Sequence, residues 1–141
     1  MSSFEAAQQM LTRVRLVLGD VSATWGTATG TWAEGVPNWA GAVVTIDPVE
    51  AAAALGGGLP TVVVQPPTAA FPTWTMTDFE WSVVVIAPTQ NVLEAWPTLS
   101  NLIDQLREPL ELNRATLTMW QPPQGAAWPC AHLTLTTSTI D

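Results

Sequence analysis

Two short apolar segments, each running into a pair of prolines, constrain the fold more than any other feature of this sequence. Thr61–Gln65 and Thr116–Gln121 are rich in residues that favour β-strands, and Pro-Pro follows each of them. Proline has no amide proton to donate to a sheet, so each pair marks the end of a strand. A second strand-like segment follows each loop, at Phe79–Ala87 and at Ala131–Ile140. This arrangement predicts two antiparallel hairpins with long tips.

A helix is predicted near the N-terminus. Apolar residues recur there at alternating spacings of three and four, which places them on one helical face. They are Phe4, Ala7, Leu11, Val14 and Leu18. Ser2 and Glu5 have the spacing of a capping box, and Gly19-Asp20 is expected to end the helix.

A second helix is predicted between the two hairpins. Its apolar face contains Leu99, Ile103, Leu106 and Leu110, with Leu102 beside it. A proline inside a helix removes a hydrogen bond, whereas the first helical position tolerates it. Pro97 is therefore expected to be the first residue of the main helix, after a short turn at Asn91–Trp96.

The region from about residue 21 to residue 60 has no clear periodicity. Its glycines and prolines break helices, so it is predicted to be a long loop or extended arm with one strand at Ala42–Ile46. The stretch AAAALGGGLP, Ala51–Pro60, is predicted to be a flexible hinge or surface loop.

These elements predict a single α+β domain spanning residues 1–141. Its expected architecture is a mixed, mainly antiparallel sheet with two helices packed on it and the long irregular arm at about residues 21–60. A chain of 141 residues is long enough to bury a substantial core.

The charge balance excludes several classes of function. Twelve acidic residues against four arginines, with no lysine, give a formal net charge of −8. Nucleic-acid binding depends on cations that neutralise phosphates, so specific DNA or RNA binding is not expected, and neither is binding to anionic membranes. No apolar run approaches the length of a bilayer span and the N-terminus does not resemble a signal peptide, so we expect a soluble protein made in the cytoplasm.

The sequence contains no recognisable catalytic, metal or cofactor motif. Cys130 and His132 are the only Cys and His, which is too few for a zinc site without scattered carboxylates. Gly56-Gly57-Gly58 lacks the Lys-Ser or Lys-Thr of a phosphate loop. Asp78 and Glu80 are expected to share a strand face, but solvated strands commonly have such pairs. We therefore predict a protein that is not an enzyme, with no catalytic residues, no metal and no cofactor.

Tryptophan is the unusual residue, with eight copies and no tyrosine. Trp81 and Trp96 fit apolar faces and are expected to lie in the core, whereas Trp74, Trp120 and Trp128 lie near the two hairpin tips. Trp25, Trp32 and Trp39 have no evident core face. Because Trp is common in protein interfaces, these three are predicted to contact another subunit. Arg13 and Arg15 lie off the apolar face of the first helix and are predicted to meet solvent or the same partner.

The order of elements resembles that of the tail terminator proteins of long-tailed, siphovirus-like bacteriophages. The resemblance is carried by FEWSVVVIAP leading into NVLEAWPTLSNLIDQLREPLELN, and by the closing pair TLTMW and HLTLTTSTI, between Phe79 and Ile140. The N-terminal MSSFEAAQQMLTRVRLVLGD is compatible with the family's first helix.

This resemblance implies a structural protein of the virion, located at the tail or neck. Six copies are expected to form a ring that caps the tail tube and meets the connector proteins of the head, while DNA passes through without specific binding. An acidic channel wall would repel that DNA. Asp78, Glu80, Glu108 and Glu111 are the predicted channel residues.

Other functions stay open at this stage. The chain could be another neck or tail protein, such as a head-completion protein or a tube subunit. It could also be a ligand-binding module, for example for carbohydrate, in which exposed Trp side chains stack on sugar rings. A small enzyme that uses Asp78 and Glu80 has the least support.

Overall fold

The computed structural model describes residues 2–24 and 43–140. For residues 19–24 it describes the backbone alone. The described residues form three helices and six strands. In chain order these are α1 (Ser3–Thr24), β1 (Val43–Thr45), α2 (Pro48–Gly56), β2 (Thr61–Val64), β3 (Thr68–Thr73), β4 (Met76–Ile86), α3 (Val92–Leu106), β5 (Arg114–Trp120) and β6 (Trp128–Ile140).

The six strands make one mixed sheet in the order β1-β2-β4-β6-β5, and β3 also pairs with β4. Only β1 and β2 are parallel, and α2 connects them. All other described pairs are antiparallel. The long strands β4 and β6 pair along their whole shared length, from Met76 opposite Ile140 to Ile86 opposite Cys130. The prediction of a mixed, mainly antiparallel sheet is therefore confirmed.

Strands β2 and β3 share β4 as their partner. β2 pairs with the second half of β4, as in Val64 opposite Val83, and β3 pairs with the first half, as in Thr68 opposite Glu80. Gln65-Pro66-Pro67 separates them, and Gln65 donates its amide to the carbonyl oxygen of Ser82 before the prolines interrupt the pairing. The predicted end of the strand is correct, but the sequence analysis treated β3 as part of a loop.

The larger core lies between one sheet face and the helices α1 and α3. Alternate residues of β4, from Phe79 to Val85, point into it, together with Leu133 and Leu135 of β6. From α3 it receives Leu99, Leu102 and Leu106. Leu133 and Leu135 alternate with polar residues of β6, since Thr134 is partly exposed and Thr136 is exposed on the opposite face.

A smaller core lies on the opposite sheet face, beneath α2. Ala51 and Leu55 of this helix are buried against β2, β4, β5 and β6. The strand residues in contact are Val63, Val84, Ile86, Trp120 and Cys130. Because α2 covers only this end of the sheet, the remainder of the face is open and mainly polar, with Arg114 among its residues and the apolar pair Met76 and Ile140 at its far end.

The first helix is longer than expected. It continues to Thr24, so Gly19-Asp20 does not end it. The predicted apolar face is buried from Ala7 to Leu18, but Phe4 at the first turn is 65% exposed. The predicted cap is present, since Glu5 donates its amide to the hydroxyl oxygen of Ser2 at 3.1 Å.

The predicted flexible loop at Ala51–Pro60 is wrong, because Pro48–Gly56 is the helix α2. Asp47 caps it by accepting the amide of Val49 at 2.9 Å, and Pro48 occupies the first turn, where no amide proton is required. The alanine run favours a helix, and the glycines follow as the terminating signal. The predicted strand at Ala42–Ile46 corresponds to β1 within the described residues.

The predicted start of the second main helix is also wrong. Helix α3 is continuous from Val92, capped by the side chain of Asn91, and Pro97 lies inside it. A proline at this position leaves the carbonyl oxygen of Leu93 without its usual amide donor. That residue lies in the exposed first turn, where water can replace the donor. None of the three helices in the described ranges combines the length and apolar character needed to cross a bilayer.

Candidate interaction surfaces

The β3–β4 hairpin carries the most exposed aromatic group among the described residues. Trp74 is 104% exposed and Phe71 is 73% exposed, and both line one hollow of about 600 Å³ with Pro72 and Thr73. We call Phe71, Pro72 and Trp74 the apolar tip. An isolated exposed apolar residue needs no explanation, but a contiguous aromatic patch is typical of an interaction site.

The local strand geometry positions the apolar tip. Thr73 pairs with Met76, and Trp74 occupies the turn between them. Phe71 and Pro72 together oppose the single residue Thr77, because Ala70 pairs with Asp78. The extra residue is a β-bulge, a position that tolerates proline and bends the strand. The tip therefore projects from a sheet that is firmly paired behind it.

A second apolar surface lies at the other end of β4. Val49, Ala52 and Ala53 of α2 and Pro123 and Gln124 of the β5–β6 loop line a groove of about 480 Å³. We call it the α2 groove. Val49 and Ala53 are exposed although α2 already buries Ala51 and Leu55 on its inner side. The outer side of α2 therefore combines exposed apolar residues with one carboxylate, that of Glu50.

The distribution of charge along the sequence leaves the apolar tip neutral, whereas the α2 groove is bordered by the exposed residues Asp47 and Glu50. There is no Asp, Glu, Lys or Arg between Glu50 and Asp78, and none between Arg114 and Asp141. The apolar tip lies in the first of these segments, and the loop that completes the α2 groove lies in the second. A chain with a net charge of −8 thus has an uncharged tip and an uncharged β5–β6 loop, and the carboxylate of Glu50 lies on the first turn of α2 beside the groove.

The two predicted interface arginines make contacts within the chain. Arg15 donates to the carbonyl oxygen of Val44 at 2.9 Å and so connects α1 to β1. Arg13 donates to the carbonyl oxygen of Pro109 at 3.3 Å and lies 3.7 Å from the carboxylate of Glu111. Their role at an interface stays a prediction. Trp25, Trp32 and Trp39 lie outside the described residues.

The four predicted channel acids form two separate pairs. Phe79 and Trp81 point into the larger core, so Asp78 and Glu80 point to the opposite, open sheet face. There Asp78 accepts a hydrogen bond from the hydroxyl of Ser138 at 2.6 Å. Glu108 and Glu111 instead follow α3, where the backbone of Glu111 has a φ of 52°.

The four other tryptophans of the described residues pack against one of the two cores. Trp81 is buried and donates to the hydroxyl oxygen of Thr137 at 2.8 Å. Trp96 packs partly buried against the larger core. Trp120 and Trp128 face each other across the β5–β6 pair and pack on the smaller core. The expectation that Trp81 and Trp96 are core residues is confirmed.

Cys130 and His132 do not form a reactive pair. Burial raises the pKa of the Cys130 thiol to about 12, which keeps it protonated at neutral pH and makes it a poor nucleophile. Within the described residues, no group of three or more Cys, His, Asp or Glu side chains is placed to hold a metal ion.

No protein-family model matches this sequence, and comparisons with curated proteins and with solved structures find no match. The features of the described residues that bear on function are therefore the two apolar surfaces and the open sheet face that carries Asp78 and Glu80.

The sequence analysis missed both apolar surfaces. It noted Trp74 only as lying near a hairpin tip and did not include Phe71 or the outer side of α2. A usable signal was present, because the segment 68–77 combines two large aromatics with a complete absence of charge in an acidic chain.

Proposed function

We propose that this chain is a structural protein of a bacteriophage tail, a terminator that assembles into a ring on the end of the tail tube. The observation that carries the proposal is the apolar tip, in which Trp74 and Phe71 are presented to solvent on a paired hairpin. Surfaces of this kind are typical of proteins that bury them against another chain.

The low charge content supports assembly. Charged residues make up only 11% of the chain and hydrophobic residues 48%. A closed ring buries two patches on every subunit. It thereby removes from water apolar surface that a chain with few charged residues keeps poorly solvated. The apolar tip and the α2 groove supply two such patches.

The open sheet face is the best candidate for the channel wall. It carries Asp78 and Glu80 opposite the hydroxyl residues Ser138 and Thr136, and the same face also holds Arg114 and the apolar pair Met76 and Ile140. Carboxylates there would repel the phosphates of passing DNA, and the hydroxyls would keep the surface hydrated. Glu108 and Glu111, at the turn after α3, are assigned to the rim instead.

The assembly state tests the proposal directly. Light scattering over a wide concentration range should give a species of six times 15.1 kDa, and electron microscopy should show rings with a central hole. The Trp74→Ser variant should shift the transition to higher concentration. A monomer at every concentration, or an open filament, would contradict the ring.

The channel assignment has its own test. The native ring should not retard double-stranded DNA in a gel-shift experiment at low salt. Replacing Asp78 and Glu80 by Lys should produce salt-sensitive retention, because it converts the wall to a phosphate-binding surface. The matched control carries Glu94→Lys and Asp104→Lys on α3. Equal retention by both double variants would contradict the assignment.

A carbohydrate-binding module is the second candidate, favoured by the exposure of Trp74 next to Phe71. Aromatic faces that line a hollow can stack on sugar rings. Titration with oligosaccharides, followed by Trp fluorescence, distinguishes the two functions. A saturable change that is lost in Trp74→Ser would favour the module over the ring.

A further inference from the structure

We propose that the apolar tip of one copy occupies the α2 groove of the next copy, so that subunits join head to tail. The inference deepens the proposed ring and rests on it, because it names the surfaces that meet. The tip is Phe71, Pro72 and Trp74, and the groove is formed by Val49, Ala52, Ala53, Pro123 and Gln124.

The positions of the two surfaces require that the occupant be another molecule. The tip adjoins Met76 at the start of β4, and the groove adjoins Ile86 at its end, where α2 packs. Strand residues rise about 3.3 Å each, so the two surfaces are about 30 Å apart along a rigid, fully paired strand. The tip of one copy therefore cannot reach its own groove.

Charge is compatible with a second copy as the occupant. Two chains with a net charge of −8 repel each other wherever their acidic surfaces approach. The tip lacks charged side chains, and so do the residues that line the groove, although Glu50 is exposed on the same helix. An uncharged tip therefore approaches the groove of an identical acidic chain at a lower electrostatic cost than an acidic surface would.

The sizes of the surfaces are compatible with this contact. The groove has a volume of about 480 Å³ and is lined by alanine, valine and proline, which leave room for a large flat ring. Two aromatic side chains bury about 300–500 Å² on one partner, against about 800 Å² per partner in an ordinary stable interface. One tip contact is therefore weak. Closure of a ring stabilises the assembly, because every copy then uses both surfaces.

The contact is heterologous, since it joins two different surfaces. Such contacts produce rings when the rotation closes and filaments when it does not. The arrangement predicts a steep dependence of assembly on concentration, with few intermediates between monomer and closed ring.

Cross-linking between variants that each carry one introduced cysteine tests the contact itself. Thr73→Cys places a thiol beside Trp74 without removing the tip, and Gln124→Cys places one at the rim of the groove. When the two proteins are mixed and oxidised, a disulfide between the introduced cysteines should give a covalent dimer of twice 15.1 kDa. Thr73→Cys mixed with Ser100→Cys, on the exposed side of α3, is the matched control, and native Cys130 is buried in all three.

Two substitutions, one in the apolar tip and one in the α2 groove, should weaken assembly in the same way. Trp74→Ser removes the large side chain of the apolar tip, and Ala53→Glu adds a charge to the α2 groove. Each substitution should raise the midpoint concentration of assembly roughly tenfold or more. The double variant should lose little beyond either single variant, because both remove one contact. Leu93→Ser, at an exposed apolar site on α3, should leave the midpoint unchanged.

The outcomes separate this inference from the ring proposal. Rings without the specific cross-link, or with unchanged assembly in Trp74→Ser, would overturn the tip-to-groove contact and leave the ring standing. A specific cross-link in filaments would support the contact and overturn the ring. A chain that stays monomeric and forms no specific cross-link would overturn both.

Discussion

Arg15 donates a hydrogen bond of 2.9 Å to the carbonyl oxygen of Val44, across 29 positions of sequence. This bond joins α1 to β1, the elements on either side of residues 25–42. β1 is a short edge strand with three residues, so its attachment depends on β2, α2 and this contact. The arginine thus stabilises a weak edge of the sheet.

Loss of this bond should lower stability measurably. Arg15→Ala should reduce the free energy of unfolding by about 1–2 kcal/mol, because a charged donor to a partly buried carbonyl is lost. Arg13→Ala is the matched variant. Because Arg13 makes a longer hydrogen bond and its partner Glu111 is exposed, this substitution should reduce the free energy of unfolding by less than about 1 kcal/mol. Urea unfolding at low protein concentration measures both. Equal losses would show that the Val44 contact has no special role.

Two leucines of α3 should differ sharply in their contribution to stability. Leu99 is fully buried in the larger core, whereas Leu93 on the same helix is 86% exposed. Leu99→Ala should cost about 2–5 kcal/mol through lost burial and a residual cavity. Leu93→Ala should change the free energy of unfolding by less than about 0.5 kcal/mol. A large effect at Leu93 in the monomer would contradict the described packing of α3.

Replacement of Pro97 should stabilise the helix that contains it. Pro97→Ala restores an amide donor for the carbonyl oxygen of Leu93. Alanine also gives the unfolded chain more freedom, which opposes folding. The free energy of unfolding should still rise by about 1–2 kcal/mol. Thermal unfolding provides the measurement, with Ser100→Ala at an exposed site of α3 as the control for helix propensity. A lower melting temperature for Pro97→Ala would mean that α3 begins at Pro97 after all.

Stability should fall with rising pH in the alkaline range. The Cys130 thiol has a pKa of 9.0 when unfolded and about 12 in the fold, where burial disfavours the thiolate. Below pH 9 both states are protonated, and above it the unfolded chain loses the proton first, so unfolding becomes easier between about pH 9 and 12. The chain has no Tyr and no Lys, which leaves this interval almost free of other side-chain titrations.

Denaturation curves at several alkaline pH values measure this effect, and Cys130→Ala is the control that should remove it. A thiol-reactive dye provides a second readout, with slow labelling of the native protein at pH 8 and fast labelling in urea. Fast labelling of the native protein would contradict the burial of Cys130.

Periodicity predicted the sheet and the main helical faces because it depends on local geometry. Leu133 and Leu135 alternate with polar residues, and the prolines after β2 and β5 mark strand ends directly. Helix α2 was missed because its alanine run precedes three glycines and was interpreted as a loop. The stronger signal was the capping pair Asp47-Pro48.

Exposure of individual side chains was not predictable in the same way. Phe4 lies on the apolar helical face that periodicity assigns to the interior, yet it is 65% exposed, and Trp74 near the hairpin tip is fully exposed. Which apolar residue is left outside depends on how the finished elements meet, and that information is spread over the whole chain. The candidate surfaces accordingly emerged from the fold rather than from any motif.

The position of β6 has a consequence for synthesis on the ribosome. This strand is the last of the described elements, yet it lies between β4 and β5 and supplies partners to both. Until residue 140 has left the exit tunnel, β4 presents a long, unpaired and largely uncharged edge to solvent. Nascent chains that pause before β6 would be vulnerable to mispairing with one another, so steady elongation through the final segment protects this protein from aggregation.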